Sequence, residues 1–194
     1  MHMALAVNND ITYAQVLSGG EIFILAQSRV ETVFKGKGDY QIIGTMRGEE
    51  LVGLHYNPPF DFYTQKIDER NFRVYHADFV TDTDGTGIAH EAPAFGAEDM
   101  DLAKANKIPV IKHVKMDGTF TDDVTDFAGM KVKVKDDTQS ADIEIIKYLA
   151  HSGSLFEKHK IIHSYPLCWR CKTPLLNYAT SSWFVDVPKI KEKL

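Results

Sequence analysis

Only two cysteines occur in the 194 residues, too few for a disulfide framework; a chain this long can bury its core without one. No apolar run approaches the ~18 residues a membrane-spanning helix needs, so no membrane partner is expected. An excess of positive charge is also missing. Lys and Arg total 22 against 27 Asp and Glu, a net charge of −5, so no global field draws the chain to nucleic acid and a DNA partner is not expected. Any RNA contact must rest on local patches, of which Lys131, Lys133 and Lys135 form one and Lys158, Lys160, Arg170 and Lys172 another; a solvated face is the commoner meaning of either. Internal repeats and low-complexity tracts are lacking, as is a secretory leader: Met1-His2-Met3 reads as a cloning scar over residues 1–3. With 44% hydrophobic and 25% charged residues, the composition is that of an ordinary globular chain, expected to be cytoplasmic and monomeric.

The local patterns favour strands. Ile11 to Leu17 and Glu21 to Ala26 alternate around Gly19-Gly20 and predict a hairpin. Ser28 is placed to cap a short helix with Val30, Val33 and Phe34 on one side, ended by Gly36 and Gly38. Further strands are expected over 40–45, 72–80 and 109–114, with a tight turn at Asp117-Gly118. Helices are expected over 98–106 and over 140–150, the latter with Ile143, Ile146, Leu149 and Ala150 on one face and Gly153 as its stop. Strands that do not alternate regularly with helices argue for a β-rich α+β fold rather than a doubly wound parallel sheet.

One stretch concentrates the chemistry. Residues 85–101 hold a glycine-flanked turn (Gly85, Gly87), a short strand carrying His90, a bend with Pro93 and Gly96, and then Glu98, Asp99 and Asp101. The glycines allow a close backbone approach, and carboxylates are favoured at a helix N-terminus. His90 and Asp99 flank the bend and could face one another across a pocket. Taken alone, the stretch is better explained by a structural turn with dipole-compensating acids, and His90 by a satisfied core histidine. His55, His76 and His113 lack a comparable context and are read as structural.

The run G-T-G-I-A-H-E-A-P-A-F-G-A-E-D closely resembles the second signature of the editing domain of isoleucyl-tRNA synthetases, which are class I aminoacyl-tRNA synthetases. The G-T-G opening is shared with the valyl and leucyl enzymes, whereas His90 to Gly96 point to the isoleucine branch. Glu49-Glu50-Leu51-Val52-Gly53-Leu54 with Pro59-Phe60-Asp61, and Ser164-Tyr165-Pro166 through Ser182-Trp183-Phe184, resemble further family segments. The resemblance implies a closed β-barrel with peripheral helices over 4–155, and over 156–194 a return segment toward the synthetase core. It also implies a reaction. One methylene separates isoleucine from valine, the established example of a difference worth only about 1–3 kcal/mol in an apolar pocket, so valine mischarged on tRNA(Ile) is removed at a second site. By resemblance Asp99 anchors the α-ammonium of the misattached amino acid, and His90 lines the same pocket. Thr86, Gly87, Ile88, Ala92, Pro93 and Phe95 shape its walls. No covalent nucleophile is expected, so water attacks the ester directly. ATP and magnesium belong to the ligase centre outside this chain, and no cofactor is expected within it.

The family pocket has another wall, a threonine-rich strand read as T-T-x-P-W-T-L-P-x-N, just before the segment matched by Ala4 to Asn8. The sequence starts at that point, so half of the expected pocket is missing and the chain alone is expected to hydrolyse little. Cys168-Trp169-Arg170-Cys171 supplies two thiolates where a structural zinc takes four ligands, and reads as half of a zinc site; His163 is a weak further ligand. Three other readings stay open: the editing domain of a valyl enzyme, a non-catalytic tRNA-docking module, and a small zinc protein organised by the cysteine pair.

Overall fold

The computed structural model describes residues 2–159 and 164–191. Among them, β1 (Ala4–Val7), β2 (Thr12–Ser18) and β3 (Glu21–Ala26) are followed by α1 (Val30–Val33), β4 (Tyr40–Arg47) and α2 (Gly48–Leu51). Then come β5 (Val74–His76), β6 (Ala89–Glu91), α3 (Ala97–Asn106), α4 (Ser140–His151) and α5 (Val187–Ile190). The strands pair as two three-stranded sheets, β5-β1-β6 and β3-β2-β4, and their pairing traces no closed barrel among the described residues. The architecture is α+β, as the sequence pattern implied. None of the described helices is long and apolar enough to cross a membrane.

The β2–β3 hairpin forms where expected, turning through Gly19 and Gly20 at φ 59° and 85°, which suits glycine. Ala14, Val16 and Leu25 face inward and meet Val30 and Phe34, the apolar side of α1. β1 was not legible as a strand, yet it is the centre of its sheet, parallel to β5 and antiparallel to β6, with Leu5 opposite both Val74 and His90. Val7, Tyr13, Ala26, Leu51 and Val74 close a shared core between the sheets. A second core lies outside both sheets, where Tyr63, Val114, Phe120, Val124 and Phe127 pack with Ala141 of α4.

Four local expectations need correction. Ser28 caps no helix; its Oγ donates to Asp82 Oδ2 at 2.7 Å, and the chain enters α1 through a 3₁₀ turn. The strand expected over 72–80 shrinks to β5, because Phe72 takes φ 53° before it and Ala77–Val80 turns after it. Residues 109–114 form no strand, since among the described residues only Val114 finds a bridge partner, Phe120. On α4 the packed face is Ala141, Ile145 and Tyr148, and Ile143 is exposed, because the aromatic cluster of Phe60, Phe62 and Phe127 lies on that side.

Candidate functional site

The segment leading into β6 is held on the β2–β3 hairpin at two carbonyls. Thr86 accepts at its carbonyl from the Ala26 N–H at 2.8 Å, and the Gly87 carbonyl accepts from the buried Tyr13 hydroxyl at 2.8 Å. Gly87 has φ 74°, and a Cβ there would stand 2.5 Å from Ala26 Cβ, so glycine is required by both conformation and space. Ile88 packs against the core of Val7 and Tyr13. Thr86, Gly87 and Ile88 thus fix the strand on the hairpin.

Strand alternation then separates the next two residues. His90 is exposed, and its ring centroid lies 6.1 Å from that of His2, which stacks on Tyr56 at 5.5 Å. Burial, with His90 adding to it, lowers the His2 pKa to about 4. Glu91, opposite Ala4, turns inward and is 1% exposed.

Beyond β6 the chain bends through Ala92–Phe95, closed by the Phe95 N–H donating to the Ala92 carbonyl at 2.8 Å. Gly96 is the N-cap of α3 and Asp99 lies in the first turn, where a carboxylate meets the positive end of the helix. The Ala92 N–H donates to Asp99 Oδ2 at 2.7 Å, a charge-assisted bond that ties helix to bend. A Cβ on Gly96 would lie 2.3 Å from Asp99 Oδ1, so the glycine leaves the room that the carboxylate occupies. Pro93 and Phe95 line a cavity of about 570 Å³ together with Met100, Tyr178 and Thr180. Phe95 also borders an apolar cavity of about 360 Å³, where it meets the His113 ring at 4.5 Å. Neither His90 nor Asp99 lines these two cavities. The bend therefore brings Asp99 to Ala92 and Gly96, while His90 joins His2 and Tyr56 on the other face of the sheet.

Glu91 is the residue the sequence reading missed. Its Oε2 is buried with no hydrogen-bond partner among the described residues, and burial, reinforced by Asp99 and Glu98, raises its pKa to about 7. The available signal was alternation: with His90 outward on a three-residue strand, its neighbour must face in.

Compared with curated proteins, the chain is 43% identical over 193 residues to the isoleucine–tRNA ligase of Clostridium tetani and 44% identical over 196 residues to that of Bdellovibrio bacteriovorus. Each alignment takes in 100% of this chain and 18% of the relative. The chain is homologous to a region of isoleucine–tRNA ligases. It spans less than a fifth of the length of those relatives, at 18%. The fold of the chain is similar to the crystal structure of GlLeuRS-CP1, with a TM-score of 0.59 over 85% of this chain and 78% of that one, at 15% identity. No protein-family model matches the chain.

The remaining sequence candidates lie apart from the bend. Cys168 and Cys171 sit in a tight turn, closed by the Lys172 N–H donating to the Cys168 carbonyl and the Cys168 N–H to the Thr173 carbonyl, both at 2.9 Å. Lys172 takes φ 59°. Hydrogen bonding by Thr173, then Cys168, lowers the Cys171 pKa to about 7, which favours the thiolate a metal binds. Among the described residues, however, no group of three or more His, Cys, Asp or Glu could hold a metal, so these two thiols do not by themselves make a zinc site. His163 lies outside the described residues, as does Lys160 of the second basic patch. In the first patch, Lys133 is paired with Asp142 at 2.7 Å.

Proposed function

We propose that this chain is the editing unit of an isoleucine–tRNA ligase and hydrolyses valine mischarged on tRNA(Ile). The observation that carries the reading is the Asp99 carboxylate, fixed on the Ala92 N–H inside the run that resembles the editing signature. Oδ2 is committed to the bend, which leaves Oδ1 to receive an α-ammonium group by a charge-assisted bond. The ester carbonyl of the anchored amino acid would then lie against the backbone of the bend, where water attacks and the tRNA ribose hydroxyl leaves. His90 would border the terminal ribose from the outer face. On this reading the two sheets are parts of the barrel the resemblance implies, and ligation itself, with ATP and magnesium, takes place elsewhere in the enzyme. The enzyme would work as a monomer in the cytoplasm.

The test is Asp99→Ala in the full-length ligase. Loss of a charged hydrogen bond removes about 1.5–3 kcal/mol, and misplacement of the ester adds up to ~100-fold in rate. Deacylation of valyl-tRNA(Ile) should fall at least about tenfold while isoleucine activation stays nearly intact. Undiminished deacylation would refute the anchor. A valine-bearing aminoacyl-adenosine should also bind more tightly than the isoleucine one, since overfilling a packed pocket costs about 1–3 kcal/mol.

A further inference from the structure

Three carboxylates gather where β6 runs into α3: Glu91 from the strand, Glu98 and Asp99 from the first turn of the helix. An acidic helix start is ordinary by itself. What is not ordinary is Glu91, whose side chain is buried to 1% exposure with Oε2 lacking a hydrogen-bond partner among the described residues. An ionised carboxylate is costly in such a place unless a cation or donor reaches it. Glu91 is one residue before Ala92, whose N–H holds Asp99, and the Asp99 carboxylate is close enough for its charge to act on Glu91.

We propose that Glu91 is a positioning residue for the Asp99 anchor: docking of a primary ammonium group on Asp99 draws the proton off the Glu91 carboxyl, so that ligand capture and Glu91 ionisation are one linked event. This rests on the reading of Asp99 as the ammonium anchor. In the free chain burial, reinforced by the neighbouring Asp99 and Glu98 carboxylates, favours the neutral acid at Glu91, whose pKa stands at about 7. An arriving positive charge on Asp99 offsets that repulsion and stabilises the Glu91 carboxylate; the proton leaves to solvent. The groups that act on Glu91 are Asp99 and Glu98, both on α3. From β1, Met3 and Ala4 adjoin it and carry no charge, while His90 is turned to the opposite face toward His2. The ligand class follows: an aminoacyl group with a free, protonated α-amine, whereas an N-acylated one would gain nothing from Glu91.

The experiment is calorimetric titration of an amide-linked valyl-adenosine into the chain at pH 6.5, in two buffers of different ionisation enthalpy. The α-amine of such a ligand titrates near ~8 and stays protonated there. Wild type should release more than about half a proton per ligand bound, and affinity should rise about tenfold between pH 5.5 and 7.5. Glu91→Gln, which keeps the shape, should bind without proton release and with a flat pH profile over that range. Wild-type binding without proton release, or release that persists in Glu91→Gln, overturns the role of Glu91 and leaves the anchor standing. Binding that is absent in wild type, or unchanged by Asp99→Asn, overturns the anchor itself. Should Glu91→Gln not fold, the carbon-13 carboxyl titration of Glu91 in wild type decides. Its midpoint should fall by at least about one unit on saturation with the valyl-adenosine, and an unmoved midpoint refutes the linkage.

Discussion

Gly96→Ala isolates the placement of Asp99 from its chemistry. Gly96 sits at φ −132° and ψ 142°, extended backbone that alanine adopts without strain. The new Cβ would nonetheless stand 2.3 Å from Asp99 Oδ1 and 2.6 Å from its Cγ. The carboxylate is the free end of a short side chain, so it gives way first, and in rotating it abandons the 2.7 Å bond from the Ala92 N–H. A charged hydrogen bond lost from its part-buried donor costs about 1.5–3 kcal/mol. For a domain of this size each kcal/mol lowers Tm by about 2–4 °C, so Gly96→Ala should melt about 3–12 °C below wild type.

The mechanism is exposed by a double-mutant cycle in urea or heat. Asp99→Ala removes the same bond and should cost a similar amount. Once it is gone, Gly96→Ala has nothing left to displace, and only the small preference for glycine over alanine at an N-cap should remain, under about 1 kcal/mol. The two single costs should therefore exceed the cost of the double variant by about 1.5–3 kcal/mol. Costs that simply add would refute the argument and place the effect of Gly96 in the backbone.

Glu91→Gln should raise stability at pH 8 and do little at pH 5. The folded chain holds the Glu91 pKa at about 7 against 4.5, so its contribution is fully present below 4.5 and lost as pH rises through 7. The glutamine form avoids that loss, by up to about 3 kcal/mol at 1.36 kcal/mol per unit, and thermal melts at the two pH values measure it. The purified chain should carry well under one zinc, and a chelator should leave Tm unchanged; stoichiometric metal with chelator-induced unfolding would show that further ligands complete the Cys168–Cys171 turn.

Much of the bend was legible because its signals are local. Glycines, a proline and an acidic helix start each act within a few residues, and the β2–β3 hairpin was legible for the same reason. What the sequence hid depends on distant partners. Ser28 has the chemistry of a cap, but Asp82 offers it an ion to bond instead. The apolar positions of α4 allow more than one face, and the aromatic rings of Phe60, Phe62 and Phe127 choose Ala141, Ile145 and Tyr148. β1 is four residues long and too short to show a period, yet it sits between β5 and β6. The pairing of His90 with His2 and Tyr56, on the face away from Asp99, follows from that register and from no local motif.

Glu91 was hidden for a different reason: its charge argues for the solvent face, and the register overrules it. Leu5 opposes His90 and Ala4 opposes Glu91, so moving Glu91 outward would slip β6 by one residue. That slip would turn Ala92 and the bend after it, and the Ala92 N–H would no longer reach Asp99. The register that lets the Ala92 N–H hold Asp99 thus puts a carboxyl where folding disfavours its charge. Proteins tolerate such local costs where function needs the geometry. This separates the two carboxylates: removing Asp99 should weaken both the fold and ligand capture, whereas neutralising Glu91 should strengthen the fold above pH 7 and remove the proton linkage of capture. A purely structural acidic helix start would have the two substitutions move stability in the same direction.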